Sequence, residues 1–386
     1  MLRALLPLFI FWGLASGSWG ASQGPSRTFL VTHTGDPPPS SCTIQRCSLR
    51  EAVLAANSSP GLDEIILPPG IYILSRSGAG EDYGNTGDLD IRDGLIIHGA
   101  GAGVTIVDAG NLDRVIDLMD FLGFGMEVVI DQVFLRGGLV LDEPGGGIQV
   151  GAGVVLTLTQ SIIAENQAAN GGGVYVAPSA LLAIDHSSVA NNRADRGGGA
   201  VNWGTLESRT STFANNTANA EGGGIDNHGQ LELFSVTVAG NLAAGGAGVK
   251  QGGNAVIANT LMGLNASGSG PSDCSGVLTS QGYNLIANMA GCSLEGVSTG
   301  NHLGVQPALG RLGDFGGGML TVPLLPGSPA IDAANPAEPG SGKGACALAD
   351  LRGVPRTWDG NKDGIPRCDI GSFEFLPLIY LPVIKR

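Results

Sequence analysis

Lysine is nearly absent from this chain: only Lys250, Lys343, Lys362 and Lys385 occur in 386 residues. Charged residues of every kind make up 14%, and the formal charge is −14. Nucleic acids and anionic membranes reward basic patches, so this balance argues against both as partners. Aromatic residues are scarce at 5%, and of the tryptophans only Trp203 and Trp358 lie beyond the N-terminal segment. No Cys-x-x-Cys occurs, which removes the usual thiolate zinc site. Past the N-terminus no apolar run approaches the roughly 20 residues that a spanning helix needs.

Glycine, by contrast, is abundant, with 64 residues and no three-residue period. That excludes collagen and points to many turns between short strands. An apolar content of 43% suffices for a continuous core and excludes a wholly disordered chain. The N-terminus "MLRALLPLFIFWGLASGSWGA" has Arg3, an apolar run from Ala4 to Ala15, and then small residues. Ser18 and Gly20 suit the −3 and −1 positions of a cleavage site before Ala21, so residues 1–20 read as a secretory signal. Export makes the six cysteines readable as disulfides. They fall as near neighbours, Cys42 with Cys47, Cys274 with Cys292 and Cys346 with Cys368, and sequential pairing leads among the connectivities that six cysteines allow.

An internal repeat sets the fold. Glycine triplets start at Gly145, Gly171, Gly197 and Gly222, and a degenerate "GGAG" starts at Gly245. An asparagine keeps step at Asn166, Asn192, Asn216, Asn241 and Asn265, a period of 24 to 26 residues. Ten residues before each asparagine stand Leu156, Leu182, Leu206, Leu231 and Ala255; eight before stand Leu158, Ile184, Ser208, Leu233 and Ile257. Three before stand Ile163, Val189, Phe213, Val238 and Met262. Apolar residues two apart mark one face of a strand. The third column marks a second strand, and the segment after each glycine triplet a third.

Three short strands per coil of about 25 residues describe an all-β, single-stranded, right-handed parallel β-helix. Stacked coils turn equivalent side chains into columns. The asparagines are expected at a bend, tolerating left-handed backbone and bonding their stacked neighbours. The glycines are expected to allow positive φ at sharp corners. Leucine-rich and helical repeats need an LxxLxL or a 3.6-residue apolar pattern, and the calcium β-roll needs a nine-residue period.

Before the solenoid, "CSLREAVLAAN" carries a Ser48–Glu51 capping box, with Leu49, Ala52, Val53 and Ala56 on one helical face. A helix over 48–57 would close the open end of the solenoid. The expected organisation is a cap over 21–61, a β-helix over 62–300 with regular coils over 145–270, a disulfide-bearing C-terminal module over 301–374, and an apolar tail over 375–386. The tail reads either as a surface-attachment segment or as a last strand packed on the solenoid.

"CTIQRCSLREAVLAAN" followed by "DEIILPPGIYIL" resembles the CSLREA segment that opens many secreted bacterial right-handed β-helix proteins. "FANN" with "EGGGI", between Phe213 and Ile225, resembles the repeats of polymorphic outer-membrane proteins, although Ile163, Val189 and Val238 replace the phenylalanine in other coils. "FGGGMLTVPLLPGSPAIDAA" and "DLRGVPRTWDGNKDGIPRCDIGSFEF" resemble the choice-of-anchor Q tail of surface proteins. These resemblances imply fold and a secreted or cell-surface location, with cell-envelope components or extracellular glycans as partners.

Two patterns carry candidate chemistry. In "DGNKDG", Asp359, Asn361 and Asp363 alternate ahead of Gly364, the opening of a calcium loop. An EF-hand would place glutamate where Ile370 stands, and Asp369 is the nearest acid. The same residues also read as a polar turn beside Cys346 and Cys368. In the regular coils, Asp185 with Arg209 and Trp203 with His228 fall at equivalent places in adjacent coils, while Asp226 and His228 share one strand face. Similar β-helices include pectate lyases and glycoside hydrolases, which need acids with a base, or paired carboxylates, in one groove. The few aromatics and lysines suit a sugar groove poorly. The sequence therefore favours a structural or adhesive protein without a catalytic site over a polysaccharide-degrading enzyme, with a glycan-binding module as the third reading.

Overall fold

The computed structural model describes residues 26–377 except 122, 124 and 343. The expected signal over 1–20, the first five residues of the expected cap and positions 378–386 of the tail lie outside the described residues. The chain is a parallel β-helix: the strands of sheets A, B and C pair in parallel with their equivalents in neighbouring coils, and only short pairs such as Gly313–Asp314 with Leu320–Thr321 are antiparallel among the described residues. In one coil, Ile148–Val150 belongs to sheet C, Val154–Thr159 to sheet A and Ile162–Ala164 to sheet B. These are the three expected strands. A fourth, Gln167–Asn170, follows the ladder asparagine and forms sheet D with Leu139–Pro144, Arg193–Arg196 and Thr217–Glu221. Sheet B has ten strands and runs the length of the solenoid.

The apolar columns fill the interior. Leu156, Leu182, Leu206, Leu231 and Ala255 are buried, as are Ile163, Val189, Phe213, Val238 and Met262. Beside them run hydrogen-bonded polar ladders. Asn216 Oδ1 accepts from the backbone N–H of Asn192 at 3.0 Å and from its Nδ2 at 3.1 Å. Its own Nδ2 donates to Asn241 Oδ1 at 3.0 Å and to the Val189 carbonyl at 2.9 Å. The column runs from Asn166 to Asn265 and ends on Asp273, whose Oδ1 accepts from Asn265 Nδ2 at 2.8 Å. Every amide is fully used, which is how a core tolerates buried asparagine.

The corner geometry differs from expectation in two respects. The left-handed residue is the one before each ladder asparagine: Glu165, Asn191, Asn215, Gly240 and Leu264. The asparagine itself is free to face inward. Only the first glycine of each triplet takes positive φ, 64° at Gly171 and 58° at Gly197. The other two are small because the next coil is close: a Cβ on Gly199 would lie 2.4 Å from the Gly224 carbonyl oxygen.

At the N-terminal end the helix Leu49–Asn57 is capped by Ser48, with both capping-box bonds formed. Leu49, Ala52, Val53 and Ala56 join the main core. Disulfides join Cys42–Cys47, Cys274–Cys292 and Cys346–Cys368. The C-terminal region folds back along the outer face of sheet B. Met319 and Leu351 pack with Ala102, Ile162 and Ala190, while Ser188 Oγ donates to the Leu320 carbonyl at 2.7 Å. Thr212 and Thr237 both bond Ser372. Hence the sheet B strands Ser188–Ala190, Thr212–Ala214 and Thr237–Ala239 are buried at every position. Among the described residues no helix is long and apolar enough to cross a membrane.

Candidate functional site

With sheet B covered, the polar side chains of interest gather where sheets C and D meet. The outward column of sheet C reads Asp90, Asp117, Gln149, Tyr175, Val201, Asp226, Lys250 in successive coils. Each flanking residue points into the core. The first glycine of each triplet makes the turn from D to C: a Cβ on Gly222 would strike the Asp226 backbone and side chain at 2.6 to 2.7 Å. Glycine there lets charged ends of sheet D lie against the outer column of C.

One cluster forms at the regular coils. Arg196 Nη1, from sheet D, lies 3.2 Å from Glu221 Oε2 and 3.4 Å from Asp226 Oδ2. Lys250 Nζ reaches Glu221 Oε1 at 3.4 Å. His228 Nε2 approaches Asp226 Oδ1 at 3.1 Å, out of line for a hydrogen bond. Trp203 stacks on His228 with ring centroids 4.0 Å apart and planes 8° from parallel. Trp203 is 47% exposed, whereas Asp226 is fully buried. Asp226 is thus the sealed anchor of a mixed-charge rim, between Arg196 and His228. The pair Asp185–Arg209 shares a register position without meeting as an ion pair. Asp185 contacts His186 Nδ1 at 3.0 Å, and the Arg209 guanidinium lies 4.9 Å from the Phe234 ring centroid.

A second cluster forms in the early coils. Ligand oxygens of Asp88, Asp90 and Asp117 lie within 4.8 Å of one another. Their residues are 4%, 1% and 6% exposed, and Arg114 beside them is 4% exposed. Arg114 Nε is 2.9 Å from Asp88 and Nη1 is 3.2 Å from Asp117; Nη2 bonds Glu143 of sheet D. Burial, reinforced by Asp90 and Asp113, pushes Asp88 up to about 9 despite Arg114. Burial likewise raises Asp90 to about 7 and Asp117 to about 6. The segment between Ile73 and Leu89 is held at this cluster by the cap helix. Arg50, buried and paired with Asp36, donates to the carbonyls of Gly84, Gly87 and Asp88 at 3.0, 2.7 and 2.7 Å. Such a set of oxygens can share a divalent cation or store protons.

The C-terminal loop is arranged differently. Asp359 Oδ1 and Oδ2 accept from the backbone of Asp363 and Gly364, at 3.1 and 2.9 Å. Asn361 Oδ1 accepts from Asp363 N at 2.8 Å, and Asp363 Oδ1 from Ile365 N at 2.8 Å. Asp369 is buried away from them, accepting from the backbone of Asp332 and Phe375 near Glu374 and Arg356. Among the described residues these acids do not form a three-carboxylate group of the kind seen at Asp88.

The signal for the early cluster is faint: "LDI" at Leu89–Ile91 and "IDL" at Ile116–Leu118 each set an aspartate between two inward apolar residues, at the place that Asp226 holds in the regular coils.

No protein-family model matches this chain, and no curated protein does. Among solved structures it is similar to the crystal structure of pectate lyase Pel9A, at 13% identity and a TM-score of 0.41, over 92% of this chain and 98% of that one. At that distance the likeness says nothing about the site.

Proposed function

We propose that this chain is an exported, cell-surface or extracellular β-helix scaffold of the adhesive kind, without catalysis, that engages extracellular glycans along the outer face of sheet C, at the turn where Trp203 leads into sheet A. The observation that carries the reading is the Trp203 patch. A half-exposed indole is stacked on His228, whose Nε2 lies 3.1 Å from Asp226, and Asp226 in turn meets Arg196, so polar groups continue from the ring along sheet C. An apolar ring face beside planar polar groups is the chemistry that recognises a sugar ring. The disulfides and the N-terminal sequence support export. The test is titration with a panel of neutral and acidic polysaccharides. Trp203→Ala should weaken the best ligand about tenfold, the order of 1.4 kcal/mol. Unchanged affinity in Trp203→Ala, or no binding to any of the panel, would remove the reading.

A polysaccharide lyase or glycoside hydrolase is the second reading. It is favoured by one observation, that three carboxylates and Arg114 converge in the early coils. Their burial weighs against it, since substrate must reach an acid and base directly. Release of unsaturated or reducing ends from the same panel would select it.

A further inference from the structure

We infer that Asp88, Asp90 and Asp117 hold a divalent cation, calcium by their all-oxygen chemistry, which fastens the segment between Ile73 and Leu89 to the coil that carries Asp117.

The first support is charge. Three carboxylates are buried with their ligand oxygens within 4.8 Å of one another. Burying a charge costs several kcal/mol unless it is paired. Arg114 is their shared counter-ion, and it also bonds Glu143. One guanidinium, shared with Glu143, cannot compensate three ionised carboxylates, and a divalent cation would let them ionise together. The second support is independent of the count. Asp117 Oδ2 accepts from Gln149 Nε2, but its Oδ1 is sealed from solvent and has no hydrogen-bond donor. A buried acceptor left without a donor is rare in native folds and marks a place for an ion or water. The third is size. At Ca–O distances of about 2.3–2.6 Å, oxygens on opposite sides of one calcium lie up to roughly 5 Å apart, so the observed spread fits one ion. Nitrogen and sulfur ligands are missing from the trio, which disfavours zinc and copper.

The site is held ready from both sides. Gly84 N donates to Asp90 Oδ2 at 2.6 Å, and Arg50 grips the carbonyls of Gly84, Gly87 and Asp88. Asp90 and Asp117 are register partners on adjacent strands. A cation there would link the cap helix, the covering segment and two coils in one body.

The test uses the full secreted chain, stripped with a chelator and titrated with CaCl2, and separately with MgCl2, while its thermal midpoint is followed. Wild-type protein should gain on the order of 4 °C at roughly a hundredfold excess of Ca²⁺ over its Kd. Asp359→Asn/Asp363→Asn should gain as much, and Asp90→Asn/Asp117→Asn less than a quarter of it. Should the latter pair fail to fold, Asp117→Asn alone, followed by calorimetric Ca²⁺ titration, decides by losing at least tenfold in affinity. The inference is overturned if wild type shows no shift with either ion, if the gain disappears in the Asp359/Asp363 variant, or if the Asp117→Asn affinity is unchanged.

Discussion

Residues Asp359 to Gly364 and the aspartates at 88, 90 and 117 share one chemistry and are built in opposite ways. The first group is contiguous, and its spacing looks like a cation loop. In the fold its oxygens turn inward on the loop itself, accepting from the backbone of Asp363, Gly364 and Ile365. The second group spans 30 positions, and no local motif marks it. Parallel stacking places Asp117 directly beside Asp90, and Asp88 arrives from the preceding turn. In a solenoid, ligand convergence is set by register across coils more than by spacing along the chain.

Breaking that contrast at its strongest point means removing Arg114. Arg114→Met should leave three buried carboxylates without their counter-ion and cost about 3–5 kcal/mol in urea unfolding of the metal-free chain. A cost below ~1 kcal/mol, the range of surface pairs, would show that the cluster is wetter than its burial indicates.

The pH dependence sharpens the comparison next. Asp88, Asp90 and Asp117 have folded-state values raised to about 9, 7 and 6, chiefly by burial. A raised carboxyl keeps its proton in the folded state after the unfolded chain has lost it. Its contribution is therefore full below about pH 4 and is lost as pH rises through 6 to 9. Glu51 and Asp131 act the other way. Each is held below its usual value because hydrogen bonds, from Ser40 and Ser48 and from His98, Thr159 and Gln132, outweigh burial. Their contribution is lost in acid. Metal-free protein should accordingly be most stable in mild acid, with its midpoint falling between pH 5 and 9. Asp88→Asn should flatten that fall, and a midpoint that instead climbs across this range would contradict the assignment.

The smallest effect belongs to the C-terminal loop. Asp359→Asn/Asp363→Asn should cost roughly 1 kcal/mol, because each asparagine keeps one acceptor oxygen and Asn361 Oδ1 still accepts from Asp363 N. A loss of more than ~3 kcal/mol in the chelated chain would mean that the loop carries more of the fold than its exposure suggests.

Much of this architecture could be read from the residues, and the limits have physical causes. Columns such as Leu156–Leu182–Leu206 and the run of asparagines declared the coil, its period and its interior. The capping box at Ser48 declared the lid. What escaped were contacts between segments that the repeat register does not align. Arg50 reads as a helix-surface residue, yet it is buried against the carbonyls of Gly84 to Asp88. Sheet D escaped because Gln167–Asn170 and Arg193–Arg196 lack an apolar alternation. The return of the C-terminal region along sheet B escaped because small residues such as Ala164, Ala190 and Ala214 face it, and a small residue gives little sign of what covers it. At the candidate site, Trp203 with His228 was legible from register, whereas the burial of Asp226 and its contact with Arg196 required the D-to-C corner.

The most direct test of whether register or local spacing builds the cation site is an anomalous difference map from crystals grown with a lanthanide in place of calcium. The account predicts a peak enclosed by Asp88, Asp90 and Asp117. A peak confined to Asp359, Asn361 and Asp363, with none in the early coils, would contradict it.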